Sequence, residues 1–276
     1  MNHNQRWREG KDSYRKRGEG FDAEHYGVEL LVNDTTPRNF VVKHHYSASY
    51  PAARCRVGLY RTTRSLVPDL VGVAVFSVPA RGCLEKRAGV DKDEGCELGR
   101  FVLLDDVPFP GETWFLRRAF KVLEEEKPEL RAVVSFSDPL QRKTERGHVV
   151  MPGHVGTIYQ AFNGRFVGRT KVEHLWLDAD GRLVAPRSLA KIRNNESGGV
   201  AAYERLRAAG ARGIAPGESP REYVNRALQE GPFRRVRHPG NLAYVWAIGQ
   251  RRKTTRRNFP GALDYIKAEE GRVHVR

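Results

Sequence analysis

Short apolar runs, some alternating and some recurring at helical spacing, predict a chain of mixed α and β elements. Four strand-like runs come first, at 40–43 (FVVK), 56–60 (RVGLY), 70–77 (LVGVAVFS) and 98–104 (LGRFVLL). The turn-rich DDVPFPG at 105–111 bounds the last of them. Residues 112–127 then read as the clearest helix, with Phe115, Ala119, Val122 and Leu123 on one stripe and Pro128 as its stop. The run at 131–137 (RAVVSFS) is too apolar to be exposed on both faces. The order strand, helix, strand over 98–137 therefore predicts a βαβ unit with parallel pairing.

The segment 153–168, GHVGTIYQAFNGRFVG, reads as a strand edged by glycines. It carries His154, Thr157, Tyr159, Gln160 and Asn163 where a structural strand would use valines. A hairpin follows, with a strand at 173–177 turned by DADG at 178–181. Beyond residue 182 the pattern predicts short helices at 200–209 and 219–229. The second opens with SPRE, which supplies an N-cap serine, a proline at the first helical position and a capping-box glutamate. The runs 233–237 and 242–248, separated by HPGN, read as a basic hairpin, and RRKTTRR at 251–257 follows at once. The organisation expected is a mobile basic tail over 1–20, a catalytic core over 21–180 and a basic α+β extension over 181–276.

Charge sharpens this division. The 276 residues carry a formal net charge of +15, and residues 182–276 hold 20 Lys+Arg against 8 Asp+Glu. Most of that excess is arginine, whose planar fork pairs bidentately with phosphate, and counterion release makes such a surface bind nucleic acid. Double-stranded DNA is the partner expected. No run of eighteen apolar residues is present, which argues against a membrane span. The polar start MNHNQRWREGK lacks the apolar core of a signal peptide. Three irregularly spaced cysteines, Cys55, Cys83 and Cys96, fit a reducing cytoplasm better than a disulfide framework. There is no phosphate loop, no GxGxxG after a strand and no zinc-deaminase signature.

Several polar residues stand where chemistry could use them. HHYSASYP at 44–51 leaves a strand-like run, and His45 or Tyr46 could serve as general acid or base. Asp138 ends the 131–137 strand before Pro139, a place where a side chain projects into a crevice. Arg100 lies within an apolar strand and requires either a structural carboxylate, Asp105 or Asp138, or an anionic ligand. His44, His45, His148 and His154 are candidate metal ligands, although none shows the i, i+4 spacing of a helical pair.

The succession HHYSASYP (44–51), GVAVFSVP (72–79), ELGRFVLLDDVPFP (97–110), VVSFSDP (133–139) and GHVGTIYQAFNGRFVG (153–168) resembles the phage Mom family of DNA-modifying proteins. That family converts adenine to its carbamoylmethyl derivative on the exocyclic amine. The resemblance implies an α+β fold related to the GNAT acyltransferases, a mixed sheet whose central strands splay apart to admit a donor. By that analogy 98–104 and 131–137 are the splayed pair. It further implies catalytic roles for His45, Tyr46, Asp138 and Tyr159, and donor contacts for Arg100, Thr113 and Ser135. His154, Thr157 and Gln160 would meet the base. DNA docking falls to Arg234, Arg235, Arg237, Arg251 and Arg252. The donor implied is acetyl-CoA or glycyl-tRNA, with tRNA then a second partner and iron among the cofactors to consider. GNAT enzymes hold a pyrophosphate on a glycine-rich turn, whereas 105–113 here carries three carboxylates. A phage protein of this kind would work in the host bacterial cytoplasm, protecting DNA from restriction. Two other readings stay open. One is a GNAT-like acyl or aminoacyl transferase acting on a protein or small amine, and the other is a non-catalytic DNA-binding protein.

Overall fold

The computed structural model describes residues 20–62 and 67–266, so the tail expected over 1–20 lies, up to residue 19, outside the described residues. Along the chain run β1 (Tyr26–Leu30), α1 (Thr35–His44), β2 (Ala53–Arg61), β3 (Asp69–Ser77), α2 (Cys83–Ala88) and β4 (Gly95–Leu103). Next come α3 (Gly111–Glu126), β5 (Ala132–Ser137), β6 (Arg142–Lys143), β7 (Val149–Met151), α4 (Thr157–Ala161) and β8 (Arg165–Arg169). The last stretch holds β9 (Glu173–Leu177), β10 (Leu183–Val184), α5 (Pro186–Arg193), α6 (Gly199–Ala208), α7 (Pro220–Glu230), β11 (Arg234–His238), β12 (Leu242–Ala247) and α8 (Arg252–Asn258).

These elements form two compact units that interleave along the chain. Of the described residues, the first takes those within 20–138, 155–169 and 241–266, and the second takes 139–154 and 170–240.

The first unit is built on a seven-stranded sheet in the order β1-β2-β3-β4-β5-β12-β8. Every pairing is antiparallel except β4 with β5, which is parallel, as the strand–helix–strand pattern requires. Alternation divides β3 between two cores: Ala74 and Phe76 pack with Phe115, Leu116, Ala119 and Phe120 of α3, while Val73 and Val75 pack with Phe40 and Val41 of α1. The α+β class and the mixed sheet with a central parallel pair are as expected.

Three local readings need correction. Residues 40–43 are helical: Pro37, Phe40, Val41 and His44 are the buried positions of α1, an i, i+3, i+4, i+7 stripe in which FVV is only the middle. The strand expected over 153–168 holds a helix, Thr157–Ala161. Gly156, in the left-handed region at φ 76°, opens α4, and only Arg165–Arg169 is extended. A side chain on Gly156 would meet Tyr244 and Tyr159, so the turn and its close packing both call for glycine. The basic hairpin also fails. β11 pairs with β9, whereas β12 pairs with β5 and β8. The reason is burial: Leu242, Ala243, Tyr244, Val245 and Trp246 are all buried, so β12 is covered on both faces and sits inside the large sheet.

The second unit has a three-stranded sheet, β10-β9-β11, and the β6–β7 hairpin. Leu140, Leu175, Leu177 and Val236 form one small core. Helices α5, α6 and α7 form another around Leu189, Ile192, Leu206, Tyr223 and Leu228, with Trp176 and Phe233 packed against it. α7 keeps the predicted start, with Pro220 in its first turn and Ser219 and Glu222 closing a capping box.

Candidate active site

The parallel pairing of β4 with β5 lasts three residues: Gly95↔Ala132, Cys96↔Val133 and Glu97↔Val134. Both strands continue past that point without pairing to each other, β4 to Leu103 beside β3 and β5 to Ser137 beside β12. The Ser135 hydroxyl donates to the Leu98 carbonyl at 2.9 Å, a backbone acceptor at the point where the ladder stops. The strands expected to splay are the strands that part.

Next to this opening β4 carries a bulge. Leu98 faces Phe76 and Arg100 faces Val75, which leaves Gly99 as an extra residue. A Cβ at Gly99 would lie 2.4 Å from the Ser77 hydroxyl, so the bulge needs a residue without a side chain. In a regular strand residues three apart point to opposite faces. The bulge restores Glu97 and Arg100 to mutual electrostatic contact. Burial pushes the Glu97 carboxyl above its ordinary range, and Arg100 pulls it back in part. Burial likewise lowers the Arg100 guanidinium, while Tyr46, Glu97 and Tyr159 favour its charged form.

Arg100 is held from the loop after α1. Its Nε donates to the Ser49 carbonyl at 2.9 Å, its Nη2 to the Ser49 hydroxyl at 2.7 Å and its Nη1 to the Gly99 carbonyl. Of five N–H groups, two are left over. The Ser49 hydroxyl donates onward to Ser47 Oγ at 3.3 Å, and Ser47 Oγ lies 2.8 Å from His45 Nδ1. The Ser47 backbone N–H also donates to Nδ1, at 3.1 Å. Nδ1 is therefore an acceptor, and the neutral imidazole carries its proton on Nε2. The His45 and Tyr46 rings lie 4.1 Å apart. Ala48, between the two serines, sits in the left-handed region at φ 44°, where a non-glycine residue is strained.

Tyr159 enters from α4. It is buried, with its ring 5.5 Å from that of Tyr244 and 5.7 Å from that of Trp246. Burial raises its pKa, against which a hydrogen bond with Ser135 acts in the lowering direction, and Glu97 and Arg100 act on it in opposite directions. It is a neutral phenol at pH 7. The Tyr244 hydroxyl donates to the Val155 carbonyl, which fixes the turn into α4.

The structure therefore brings His45, Tyr46, Arg100, Ser135 and Tyr159 into one connected region of the first unit. Asp138 follows Ser137 directly at the end of β5 and is half-buried. Gln160 is engaged elsewhere, its amide nitrogen lying within 3.2 Å of the Val155 carbonyl, the Tyr244 hydroxyl and the Ile266 carbonyl. Thr113 donates to the Pro110 carbonyl at 3.1 Å and serves the start of α3. Thr157 is half-buried in the first turn of α4. His154 belongs to the second unit.

Among the DNA-contact candidates, Arg235 and Arg237 are exposed on β11, while Arg234 is half-buried and donates to the Lys143 carbonyl. Arg251 is exposed at the start of α8, and Arg252 pairs with Glu124 at 2.7 Å. Glu97, Ser47, Ser49 and Tyr244 were not singled out from sequence. The two serines stand inside HHYSASYP, and Glu97 is an acid in an otherwise apolar strand; Tyr244, outside those blocks, gave no such signal.

Among the described residues no three His, Cys, Asp or Glu side chains group as metal ligands. The start of α3 has Glu112 in its first turn and no basic residue from 105 to 116, a poor cradle for a pyrophosphate. Among the described residues no helix is long and apolar enough to cross a membrane.

The chain is similar in structure to a tandem GNAT protein from the clavulanic acid biosynthesis pathway, at 10% identity and a TM-score of 0.40, over 80% of this chain and 98% of that one. It is also similar to a malonyl-CoA decarboxylase from Agrobacterium vitis, at 10% identity and a TM-score of 0.34, over 86% of this chain and 64% of that one. No curated protein matches it in sequence. The profile of the Mom protein family matches residues 30–213, a span that holds His45, Tyr46, Arg100, Asp138 and Tyr159. The chain belongs to the Mom protein family.

Proposed function

We propose that this protein transfers a carbamoylmethyl-type group to the exocyclic amine of adenine in double-stranded DNA, as a transferase that shields phage DNA from restriction. The observation that carries the reading is the connected set His45, Tyr46, Arg100, Ser135 and Tyr159 at the parting of β4 and β5, inside the family match. A duplex hides the amine, so the base is flipped out before reaction. The amine must lose a proton as its new bond to carbon forms, and Asp138 at the end of β5 is the acceptor in this reading. Tyr159, a neutral buried phenol, serves as a hydrogen-bond donor rather than a base. Arg100, with two N–H groups left over, meets the negative charge of the donor or the charge that develops in the transition state. His45 and Tyr46 complete the wall and offer a proton path through Ser47 and Ser49.

Docking falls to the second unit. By register Arg235 lies opposite Trp176 and Arg237 opposite His174, so both guanidiniums, exposed, share one face of the small sheet. The donor in this reading is a glycyl-tRNA: its glycyl group has the same atoms as a carbamoylmethyl group, and breaking the ester returns the tRNA 3′-hydroxyl, whereas acetyl-CoA carries no nitrogen for the amide and the acidic start of α3 weighs against a pyrophosphate held there.

The test is direct. DNA from cells expressing the chain is digested to nucleosides and examined by mass spectrometry, with and without labelled glycine and acetate. A new modified deoxyadenosine is expected, and the label it carries identifies the donor. A nucleoside profile identical to that of empty-vector cells, with folded protein present, overturns the reading.

A further inference from the structure

A hollow of about 450 Å³ lies between the edge strand β1 and the helix α3. Its walls are Tyr26 and Val28 on one side and Trp114, Arg117, Arg118, Lys121, Val122 and Glu125 on the other. It stands apart from the β4–β5 opening, because β1 is three strands from β4, roughly 14 Å at ordinary strand spacing. Its volume is in the range of pockets that hold small ligands.

Two features give the hollow a chemical character. The first is a stacked cation: the Arg118 guanidinium lies over the Trp114 ring, 3.6 Å from its centre. Phe21 backs the same indole edge-on at 5.2 Å and stacks on Tyr26 at 4.8 Å, so the aromatic wall is braced from behind. The second is unmatched charge. Lys121 pairs with Glu125 at 3.7 Å, whereas neither Arg117 nor Arg118 has a carboxylate partner among the described residues. Helical spacing places Trp114, Arg118, Lys121 and Glu125 along one face of α3.

A guanidinium plane laid over an indole, beside a second unmatched guanidinium, is the chemistry that receives one nucleotide of an unpaired strand. The base stacks on the plane and the phosphate meets the cations. A duplex offers its phosphates but keeps its base faces covered, so it satisfies only half of this hollow. We propose that the β1–α3 hollow binds a nucleotide of single-stranded DNA, its base stacked on the Arg118 guanidinium that covers Trp114 and its phosphate held by Arg117. The choice of DNA over RNA rests on the adenine-modifying reading, in which opening the duplex exposes unpaired nucleotides near the protein.

The experiment uses the full chain with fluorescently labelled oligothymidine, oligouridine and a duplex of equal length, followed by anisotropy across a salt series. Three proteins are compared: wild type, Arg117→Ala/Arg118→Ala, and Arg117→Lys/Arg118→Lys. The double alanine variant is expected to bind oligothymidine about tenfold more weakly. Its slope of log affinity against log salt should fall by about 1.4, from two lost contacts at roughly 0.7 each. The lysine pair keeps the charge but loses the stacked plane, so it should recover the salt slope and only part of the affinity. Duplex affinity should change less than about twofold. No oligothymidine binding by the wild type, an unchanged slope in the alanine variant, equal losses on duplex and single strand, or loss confined to oligouridine would each overturn the proposal. Nucleosides from cells expressing each variant separate the two claims. New deoxyadenosine together with unaltered oligothymidine binding sinks only the hollow. Weakened binding by the alanine variant with no new nucleoside even from wild-type cells leaves the hollow standing and sinks the adenine reading.

Discussion

Arg100 and His45 are joined by an unbroken line of hydrogen bonds, from guanidinium to Ser49 to Ser47 to imidazole Nδ1. Each link has one sensible direction. The guanidinium can only donate, each serine accepts from one neighbour and donates to the next, and Nδ1 receives at the end. The line fixes the histidine tautomer from a charged group on another element, and it sets both side chains beside the parting of β4 and β5.

Ser49→Ala removes the middle of that line. Arg100 keeps the Ser49 carbonyl but loses its 2.7 Å hydroxyl acceptor. Stability is expected to drop by about 1 kcal/mol, since the loop is exposed and water replaces the hydroxyl in part. DNA modification should fall about tenfold, the cost of one weakened charge-assisted contact. Ser49→Thr, which keeps a hydroxyl, should restore most of it. Wild-type modification by Ser49→Ala would make the line incidental.

Asp138→Ala should lower modification by at least about a hundredfold, the usual weight of a positioned proton-transfer group, and Tyr159→Phe by about as much, the weight of a positioned hydrogen-bond donor. DNA affinity should hold within a few-fold, because Arg235 and Arg237, the arginines proposed to dock on DNA, lie in the other unit. Modified nucleoside per protein and filter binding on the same preparations measure the two effects. Full activity in either variant would remove that residue from the mechanism.

Glu97 makes a pH prediction whose sign follows from burial. Its folded pKa is raised above the ordinary 4.5, so the folded state holds the proton more tightly than the unfolded one. Its contribution to stability is present in full below about pH 4.5 and is lost as pH rises through the folded value. Glu97→Gln cannot ionise and should match the wild type near pH 4, then melt at a higher temperature at pH 7. A Tm difference that does not vary with pH between 4 and 7 would refute the assignment.

Arg235 and Arg237 test docking independently of chemistry. Replacing both with alanine should flatten the dependence of log affinity on log salt by about 1.8 on duplex DNA, from two phosphate contacts at roughly 0.9 each. Modification at saturating protein should survive. An unchanged slope would move the docking face elsewhere.

Ser219→Ala removes the capping-box hydroxyl of α7 and leaves the Glu222 backbone N–H without its acceptor, while the Glu222 carboxylate keeps the backbone N–H of residue 219. A loss of about 1 kcal/mol is expected in the second unit, read as a lower midpoint in urea. The β4–β5 region lies in the first unit, so modification per folded molecule should not change.

Local rules made part of this protein legible from its residues. The α3 stripe, the Pro128 stop, the strand–helix–strand order and the Ser219 cap are each decided within a turn or two of chain, and each stands in the structure. Arg100 stood out because a charge inside an apolar strand demands a partner, although its partner came from Ser49 and not from Asp105 or Asp138. Tyr159 stood out as a polar intrusion, but its element was misread. Five helical residues after a left-handed glycine give too short a window for periodicity to separate helix from strand.

What only the tertiary structure decided is pairing between distant segments. The arginines of β11 and the apolar run of β12 look like two arms of one hairpin, yet β12 is buried on both faces and inserts beside β5, while β11 joins β9. The Gly99 bulge, the end of the β4–β5 ladder at Glu97 and the Ser49 anchor of Arg100 likewise depend on a partner strand or loop far away in sequence. Periodicity records which face of an element is buried. It holds no term for which neighbour buries it, and that choice places the site.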